Sequence, residues 1–523
     1  MFKVEGSAYM VVPAVMFAVT LAACTSLKPV ATPQLAGPHT ARQIRIEPIA
    51  LLNRVTGGAD PASSLWLDQV GSDRFLEQQL RPSPEPSLPA EVQSKINVMT
   101  ISRVPMDRLL IEIERRRRDI NAIAIDDEKK TAQRAYQREL NRLSREAATR
   151  SLLRALYSPN QLQEQMTWFW LNHFNLYQNK RTLRAMIGDF EQRAIQPHAL
   201  GRFRDLLAAT IYHPAMLRYL DNENNAVGRI NENYARELME LHTLGVDGGY
   251  TQKDVQELAR VLTGLGVNLT ERTPNVRVEL QGQYRRDGIF EFNPTRHDYG
   301  DKLFLGATVR GRGLAEIDEV ADRLSRHPST ARFISRKLAV YFVADDPPQA
   351  LLDRMAKAFV RSDGEIAVIL REMFRSPEFA QSLGQKFKDP RNYVVSAVRL
   401  AYADQVILNA GPIINWLNRM GQPLFGRQTP DGYPMNEAGW NSSGQMTTRF
   451  EIAKAIGSGS AALFTEEGAA SAGRSVVPRL AHAPFYESIQ TRLSATTRQA
   501  LGKAGSPQEW NTFFLSSPEF MKR

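Results

Sequence analysis

The sequence predicts a mainly α-helical, multi-helix globular domain with a small β excursion around residues 270–312. Three observations predict this class. Long segments are rich in Arg, Glu, Gln and Leu, apolar residues recur at helical spacing along most of the chain, and strand-like alternation is confined to one region. The chain has 523 residues, of which 43% are hydrophobic and 23% charged, so it can bury a large core. This composition excludes collagen-like and wholly disordered proteins.

Residues 1–23 predict a lipoprotein signal peptide. The apolar run Ala8–Ala23 is too short for a comfortable membrane span and has the size of a signal-peptide core. It ends in Leu21-Ala22-Ala23-Cys24, which is similar to a bacterial lipobox, where small residues fit the peptidase and the cysteine thiol receives the lipid. Cys24 is the single cysteine, so the chain can form neither an internal disulfide nor a cysteine-cluster metal site.

A lipid on Cys24 would anchor the protein to a membrane without spanning it. Residue 25 is Thr and not Asp, and by resemblance to the sorting pattern of Gram-negative lipoproteins this predicts the outer membrane, facing the periplasm or the cell surface. Residues 24–42 contain three prolines and show little periodicity, which predicts a tether. No later apolar stretch approaches the roughly 18 residues of a membrane span.

Residues 43–90 predict a small N-terminal helical unit, and residues 91–523 predict the main helical domain. Apolar residues between Ile44 and Leu80 recur at helical spacing in two short segments, which Gly57–Pro61 divides. The proline-rich segment Arg81–Pro89 has the composition of a linker and closes this unit.

The main domain begins with a long segment of helical composition, Pro105–Leu156, which is almost free of proline and glycine. It contains the basic run Arg115–Arg118, which could indicate phosphate binding. Acidic residues surround this run on both sides, so it predicts a solvated helix face. The net charge of +10 is moderate, and we therefore expect no nucleic-acid partner.

The segment Pro159–Asn179 predicts a central helix, because its sequence M-T-W-F-W-L-N-H-F-N-L-Y is apolar nearly all round. We expect Trp168 and Trp170 to be enclosed by neighbouring elements. His173 falls on the same stripe as Trp170 and is expected to be buried. A buried imidazole needs a hydrogen-bond partner or must stay neutral, so His173 is either a satisfied core histidine or part of a site.

A helical hairpin follows, with clear signals at its ends. His213-Pro214 and His327-Pro328 each place proline at the first position of a helix, where its missing N–H costs nothing. The segment Asn231–Leu244 predicts a helix that Gly245 ends in the left-handed conformation. Thr251 with Asp254 three residues later predicts a capping box at the start of the next helix.

The helical pattern is interrupted at about 267–313, where the sequence predicts a β insert. Val276–Leu280, Ile289–Phe292 and Lys302–Leu305 alternate or cluster like short strands, with glycine-bearing turns between them. Helices resume over 314–379 and 389–408. A long loop rich in glycine and proline follows at about 420–445, and such structured loops often carry function.

Six motifs resemble those of one bacterial family. They are W-x-N-H-F at Trp170–Phe174, the block Asn231–Val246, D-G-G-Y-T-Q-x-D-V at Asp247–Val255, H-D-x-G-x-K at His297–Lys302, H-P-x-T-A at His327–Ala331, and P-D-G-Y-P at Pro430–Pro434 before Trp440. In order and spacing they are similar to the family known as domain of unknown function 1800 (DUF1800). The resemblance implies an exported protein, often encoded beside secreted sulfatase-like proteins, and no particular reaction. Similar members often carry histidine where this chain has Leu171, so a metal site there would lack one ligand.

Imidazole and carboxylate side chains of the kind that build metal or acid–base centres occur along the body. They are His173, Glu237, Glu240, His242, His297, Asp298, His327 and Asp431. Glu240 and His242 diverge by about 200° on a helix, and no H-E-x-x-H pair is present. Glu237 and Glu240 could share a helix face. The sequence assigns no metal and no cofactor.

Two functional hypotheses remain open. In the first, a lipid-anchored helical binding or assembly protein holds a secreted sulfatase-like protein or an envelope polymer, with contacts from Tyr433, Trp440, Asp431, Glu237, Glu240 and His173. In the second, a metal-assisted or acid–base hydrolase brings four side chains together in one pocket, namely His242, His297, Asp298 and His327. Convergence of these four side chains on one point would favour the enzyme.

Overall fold

A computed structural model describes residues 47–270, 272–465, 475–482, 486 and 489–523. The predicted signal peptide, Cys24 and the predicted tether lie outside these residues. Arg45–Arg523 forms one compact unit. Within it, the helices of the segment predicted as a small N-terminal unit pack into the same hydrophobic core as the later helices.

The mainly helical class is confirmed, with strands only in small sheets. The helices of the first half are α1 Pro48–Val55, α2 Pro61–Val70, α3 Ser72–Gln79, α4 Ala90–Asn97, α5 Thr100–Arg103, α6 Met106–Ala122, α7 Asp126–Tyr157, α8 Gln161–His173, α9 Ile187–Asp189, α10 Phe203–Tyr212, α11 Pro214–Tyr219, α12 Asn233–Glu240 and α13 Gln252–Val261. Those of the second half are α14 Ala315–Arg326, α15 Pro328–Phe342, α16 Gln349–Arg361, α17 Ile366–Phe374, α18 Pro377–Ser382, α19 Pro390–Ala401, α20 Gly411–Arg419, α21 Ser443–Gly457, α22 Ala495–Gly502 and α23 Pro507–Leu515.

The described strands form two small antiparallel sheets; four of them lie in the predicted β insert, and the first begins two residues before it. They are β1 Leu265–Val267, β2 Arg285–Asp287, β3 Phe290–Phe292, β4 Lys302–Phe304 and β5 Ala307–Val309. The first sheet has the order β1-β3-β2, with Leu265 opposite Phe292 and Arg285 also opposite Phe292. The second sheet pairs β4 with β5, with Leu303 opposite Thr308.

The strand predicted over Val276–Leu280 is wrong. The chain there forms a 3₁₀ helix, Val278–Gln283, and Val278 is 81% exposed. A strand with one buried face is stabilised by burial of its apolar side chains, and an exposed Val278 contributes no such stabilisation. The later segment Arg285–Asp287 pairs with β3 at the edge of the sheet.

Helix α8 forms the centre of the body. Trp168 is 5% exposed and Trp170 is 0% exposed, so the predicted enclosure of both rings is confirmed. The indole Nε1 of Trp170 donates to the carbonyl oxygen of Ala199 at 3.0 Å, which satisfies the one polar atom of this ring.

Helix α8 is shorter than the predicted Pro159–Asn179. It ends at His173 because the following residues bind the long loop between α20 and α21 and do not continue the helix. The side-chain amide of Asn175 donates to the carbonyl oxygens of Arg427 and Thr429 at 3.0 and 2.8 Å. The backbone N–H of Gln178 donates to the carbonyl oxygen of Phe425 at 3.0 Å.

The predicted helix ends are largely confirmed. His213 and His327 cap α11 and α15, each accepting a backbone N–H bond through Nδ1 at 3.1 Å. Gly245 has a φ of 82°, and Thr251 with Asp254 forms the capping box of α13. Helix α12 ends at Glu240, four residues before the predicted end, because the N–H groups of Leu244 and Gly245 turn back onto the carbonyl oxygen of Met239.

Candidate functional site

Three of the family-like motifs meet at one place, together with one residue of α15. The place, called the motif junction below, consists of Asn172 and His173 at the end of α8, Glu237–His242 on α12 and its turn, Lys337 on α15, and Asp431–Tyr433 in the long loop. Its centre is buried, since Asn172, His173 and His242 are 8%, 1% and 1% exposed.

Asn172 fastens the long loop to α8. Its Nδ2 donates to the carbonyl oxygen of Tyr433 at 3.0 Å, and its Oδ1 accepts from the backbone N–H of Tyr433 at 2.6 Å. Gly432 makes this approach possible, because its φ is 78° and a Cβ at this position would lie 2.1 Å from the carbonyl oxygen of Asn172. The glycine of P-D-G-Y-P and the asparagine of W-x-N-H-F thus fit each other.

The two histidines beneath the loop are neutral. Nε2 of His173 lies 3.0 Å from the backbone carbonyl oxygen of His242 and donates to it. Burial is the main cause that lowers the pKa of His173 well below its usual range, with Lys337 and His242 adding to it. Burial and then Lys337 lower the pKa of His242 to about 3.

The ring nitrogens of His242 lack the hydrogen bonds that a buried core histidine normally makes. Both are buried and without a hydrogen-bond partner among the residues that the structure describes, and the same holds for Nδ1 of His173. The ring centroid of His242 lies 6.1 Å from that of His173 and 5.0 Å from that of Phe174. The junction therefore holds buried polar atoms that the described part of the fold does not use.

Charged side chains remain accessible around this buried centre. Glu237, Glu240 and Lys337 are half-buried, and Asp431 is exposed. Burial lowers the pKa of Lys337 to about 8, and the charge of Asp431 opposes this shift. Burial and then Glu240 raise the pKa of Glu237. For Asp431, burial would raise the pKa, but hydrogen bonds from Arg427 and Thr429 outweigh it and lower the pKa.

Tyr433 and Trp440, the aromatic residues expected to contact a partner, are enclosed by the protein itself. They are 9% and 5% exposed, and their ring centroids lie 6.1 Å apart. The Tyr433 hydroxyl donates to the carbonyl oxygen of Pro423 at 2.8 Å, and Nε1 of Trp440 donates to that of Pro434 at 2.9 Å. Both rings therefore stabilise the conformation of the loop.

His297 and Asp298 belong to a separate, buried cluster. Nδ1 of His297 lies 2.8 Å from the carbonyl oxygen of Thr263, and Nε2 lies 2.9 Å from Oε1 of Glu316. The ammonium of Lys302 binds the other oxygen of Glu316, and the side chains of all three residues are fully buried. Asp298 pairs with Arg260 at 2.8 Å, and this hydrogen bond is the main cause that lowers the pKa of Asp298. The cluster joins the β insert to α14.

The four residues expected in a hydrolase pocket therefore occupy three different places. His242 lies in the motif junction, His297 and Asp298 lie in the cluster around Glu316, and His327 caps α15. Of the four, His297 and Asp298 share a hydrogen-bond partner, Thr263, and within the described ranges His242 and His327 share none with them. No group of three or more His, Cys, Asp or Glu side chains suited to a metal ion occurs in that same part of the chain.

Sequence reasoning missed Lys337, Glu316 and the role of Asn172. Lys337 lies between the buried residues Ile334 and Leu338 on α15, and a lysine inside such an apolar segment was the available signal. Glu316 gave no signal, because it occupies the first turn of a helix, where acidic residues are common. Asn172 stood in a recognised motif, but its partner lies 261 residues away.

The structure contains, in its described part, no helix whose length and apolar character would let it span a bilayer. Searches of the curated proteins and of the solved structures return no match. The family model described as protein of unknown function (DUF1800) matches residues 50–522, which is nearly the whole chain. Because this match covers nearly its whole length, the chain belongs to the DUF1800 family.

Proposed function

We propose that this chain is an exported, lipid-anchored envelope protein that binds an envelope partner through the motif junction. The lipobox-like sequence before Cys24 supports export and anchoring, and Thr25 supports the outer membrane. Both residues lie outside the described part of the structure. The junction would then face the periplasm or the cell surface at the end of the tether.

The convergence of three separate motifs at the junction carries the binding proposal. A purely structural junction would pair its polar groups and bury them. Here the hydrogen bonds of Asn172 and His173 and the close packing of Gly432 hold the backbone in place. The charged side chains of Glu237, Glu240 and Lys337 take no part in these contacts and remain half-buried. A rigid base carrying partly accessible charges is an arrangement suited to recognition.

The ligand that fits this chemistry best is a polar envelope polymer. Carboxylates of Glu237, Glu240 and Asp431 accept hydrogen bonds, and the Lys337 ammonium donates them, so the junction can pair with hydroxyl, amide and charged groups together. The enclosed rings of Tyr433 and Trp440 offer no broad apolar face of the kind that protein partners commonly cover. A secreted sulfatase-like protein is the alternative occupant.

Affinity capture of the tagged full chain from envelope membranes tests this proposal. We expect the parent chain to retain polymer, and the double variant Glu240→Gln/Lys337→Met to retain at least about fivefold less, because it loses two charged contacts. The matched control is Glu279→Gln/Lys357→Met, which removes two exposed charges elsewhere. Equal retention by both double variants would contradict the proposal, and retention of a protein without polymer would identify the alternative occupant.

Acid–base hydrolysis at the junction is a second candidate, favoured by the half-buried amine of Lys337 with its pKa of about 8. An amine with that pKa can release and take up a proton near neutral pH. In the same capture experiment, Lys337→Arg keeps the positive charge and removes this exchange. The hydrolase predicts that the variant still retains polymer but no longer releases fragments from it, and polymer left intact by the parent chain would exclude hydrolysis of that polymer.

A further inference from the structure

A cavity of about 300 Å³ lies between α1 and the C-terminal segment. Its volume is at the lower end of the range of small-molecule sites, which is roughly 300–1,000 Å³. One part of its wall is apolar and includes Ile49, Leu493 and Phe520. The other part is cationic, because Lys388, Arg492, Lys522 and Arg523 line it against one acidic residue, Glu519.

Lys388 is the unusual member of this wall. It is 2% exposed, and its ammonium lies 3.8 Å from the ring centroid of Phe520. Its Nζ makes no hydrogen bond or ion pair with any residue in the described ranges. Burial, with Arg523 and Arg449 adding to it, lowers the pKa of Lys388 well below its usual range. A buried ammonium without a counter-ion is costly unless a partner satisfies it.

Glu519 does not supply that partner. Its Oε1 accepts from the backbone N–H of Ser494 at 2.8 Å, and its Oε2 accepts from the hydroxyl of Thr497 at 2.8 Å. These bonds hold the start of α22. The carboxylate of Glu519 is therefore engaged in shaping the wall.

The neighbouring guanidinium groups keep the cavity positive. Arg523 donates to Oδ1 of Asn392 at 3.2 Å and to the carbonyl oxygen of Tyr341 at 3.0 Å, and Arg449 donates to the carbonyl oxygen of Lys388 at 2.8 Å. These acceptors are neutral and cancel no charge. Arg492 pairs with Glu47, and Lys522 is exposed.

We infer that this cavity binds a small organic anion, whose carboxylate or phosphate monoester pairs with Lys388 and whose apolar group packs against Phe520, Leu493 and Ile49. The anionic group would satisfy the buried ammonium, and charge-assisted bonds of this kind are among the stronger ones in proteins. The apolar wall would select amphiphilic anions over inorganic ones. The cavity is lined by residues other than those of the motif junction. The inference is therefore independent of the proposed function.

Thermal unfolding of the purified full chain tests the inference with probes of one chain length. Hexanoate and hexyl phosphate are expected to raise Tm in a concentration-dependent way, because each binds the folded state. Hexylamine and hexanol are expected to leave Tm unchanged. A response to only one of the two anions would identify carboxylate or phosphate as the natural headgroup.

The variant Lys388→Met is expected to unfold at a Tm equal to or above that of the parent chain without ligand, since it removes a buried polar group that has no hydrogen-bond partner and keeps an apolar side chain of similar length. It should bind hexanoate or hexyl phosphate at least about tenfold more weakly. The control Lys357→Met removes an exposed lysine and should keep the response. An equal Tm response in Lys388→Met and the parent chain would overturn the inference, as would the absence of any response to both anions.

A measurement on the parent chain avoids dependence on the variant. Hexanoate or hexyl phosphate should slow the acylation of Lys388 by acetic anhydride while leaving the rate at Lys357 unchanged, as read by mass spectrometry of peptides. Acylation of Lys388 that neither anion slows would also overturn the inference.

Discussion

Replacing Glu316 by glutamine is expected to lower the free energy of unfolding by about 3–5 kcal/mol, the usual cost of removing one partner from a buried ion pair. The Glu316 carboxylate accepts from His297 and Lys302, and from the backbone N–H groups of Arg312 and Gly313 at 2.6 and 2.8 Å. Both ring nitrogens of His297 have hydrogen-bond partners in this cluster, the carbonyl oxygen of Thr263 at Nδ1 and Glu316 at Nε2. The variant would leave the buried ammonium of Lys302 without its anion.

Urea unfolding of the variant measures this cost. The matched control is Glu319→Gln, one turn away on α14, whose pairs with Arg312 and Arg323 are 25% or more exposed and should be worth about 1 kcal/mol or less. A loss for Glu316→Gln no larger than that of the control would show that the buried cluster does not hold the β insert in place.

The same residue predicts a pH dependence. Burial alone would raise the pKa of Glu316, but the hydrogen bonds from His297 and Lys302 outweigh it and lower the pKa. A carboxyl with a lowered folded-state pKa stabilises the fold above its unfolded pKa of about 4.3 and loses that contribution as pH falls through the folded value. The difference in stability between parent and Glu316→Gln should therefore be constant above about pH 5 and shrink in more acidic solution.

Replacing Gly432 by alanine is the second change with a large expected effect, about 2–5 kcal/mol. The added Cβ would lie 2.1 Å from the carbonyl oxygen of Asn172, and the residue would also keep a φ of 78°. The contact forces the loop away from α8, and the left-handed conformation adds its own strain. Urea unfolding should show the loss, and capture of the envelope partner should fall with it, because Asp431 would move.

Gly421→Ala provides the matched control in the same loop. Its φ is 71°, and no atom lies within 4 Å of the position that a Cβ would take. It should cost only the backbone strain, about 1–2 kcal/mol, and leave capture intact. Equal effects of the two substitutions on stability and capture would contradict the tight fit between the loop and α8.

Features with local causes could be predicted from the sequence. The capping box of Thr251 and Asp254 and the stop at Gly245 depend on residues no more than six positions apart, and the structure has both. The enclosure of Trp168 and Trp170 was predictable because a helix that is apolar on every side has no polar face to expose to solvent and is therefore buried.

Features with distant causes could not be predicted. The end of α8 depends on Asn175 binding carbonyl groups 252 and 254 residues away, and the strand expected at Val276–Leu280 failed because nothing covers Val278. The motif junction shows the same limit. Its motifs were visible one by one, but their meeting with Lys337 is a property of the tertiary fold.

Attachment through Cys24 decides whether the motif junction works at the cell envelope, so labelling of this residue is the most direct test. Cells grown with labelled palmitate should incorporate the label into the parent chain and not into Cys24→Ser, and the parent chain alone should sediment with outer membranes. Label that persists in Cys24→Ser, or a parent chain that carries none and remains in the cytoplasm, would contradict an exported, lipid-anchored envelope protein.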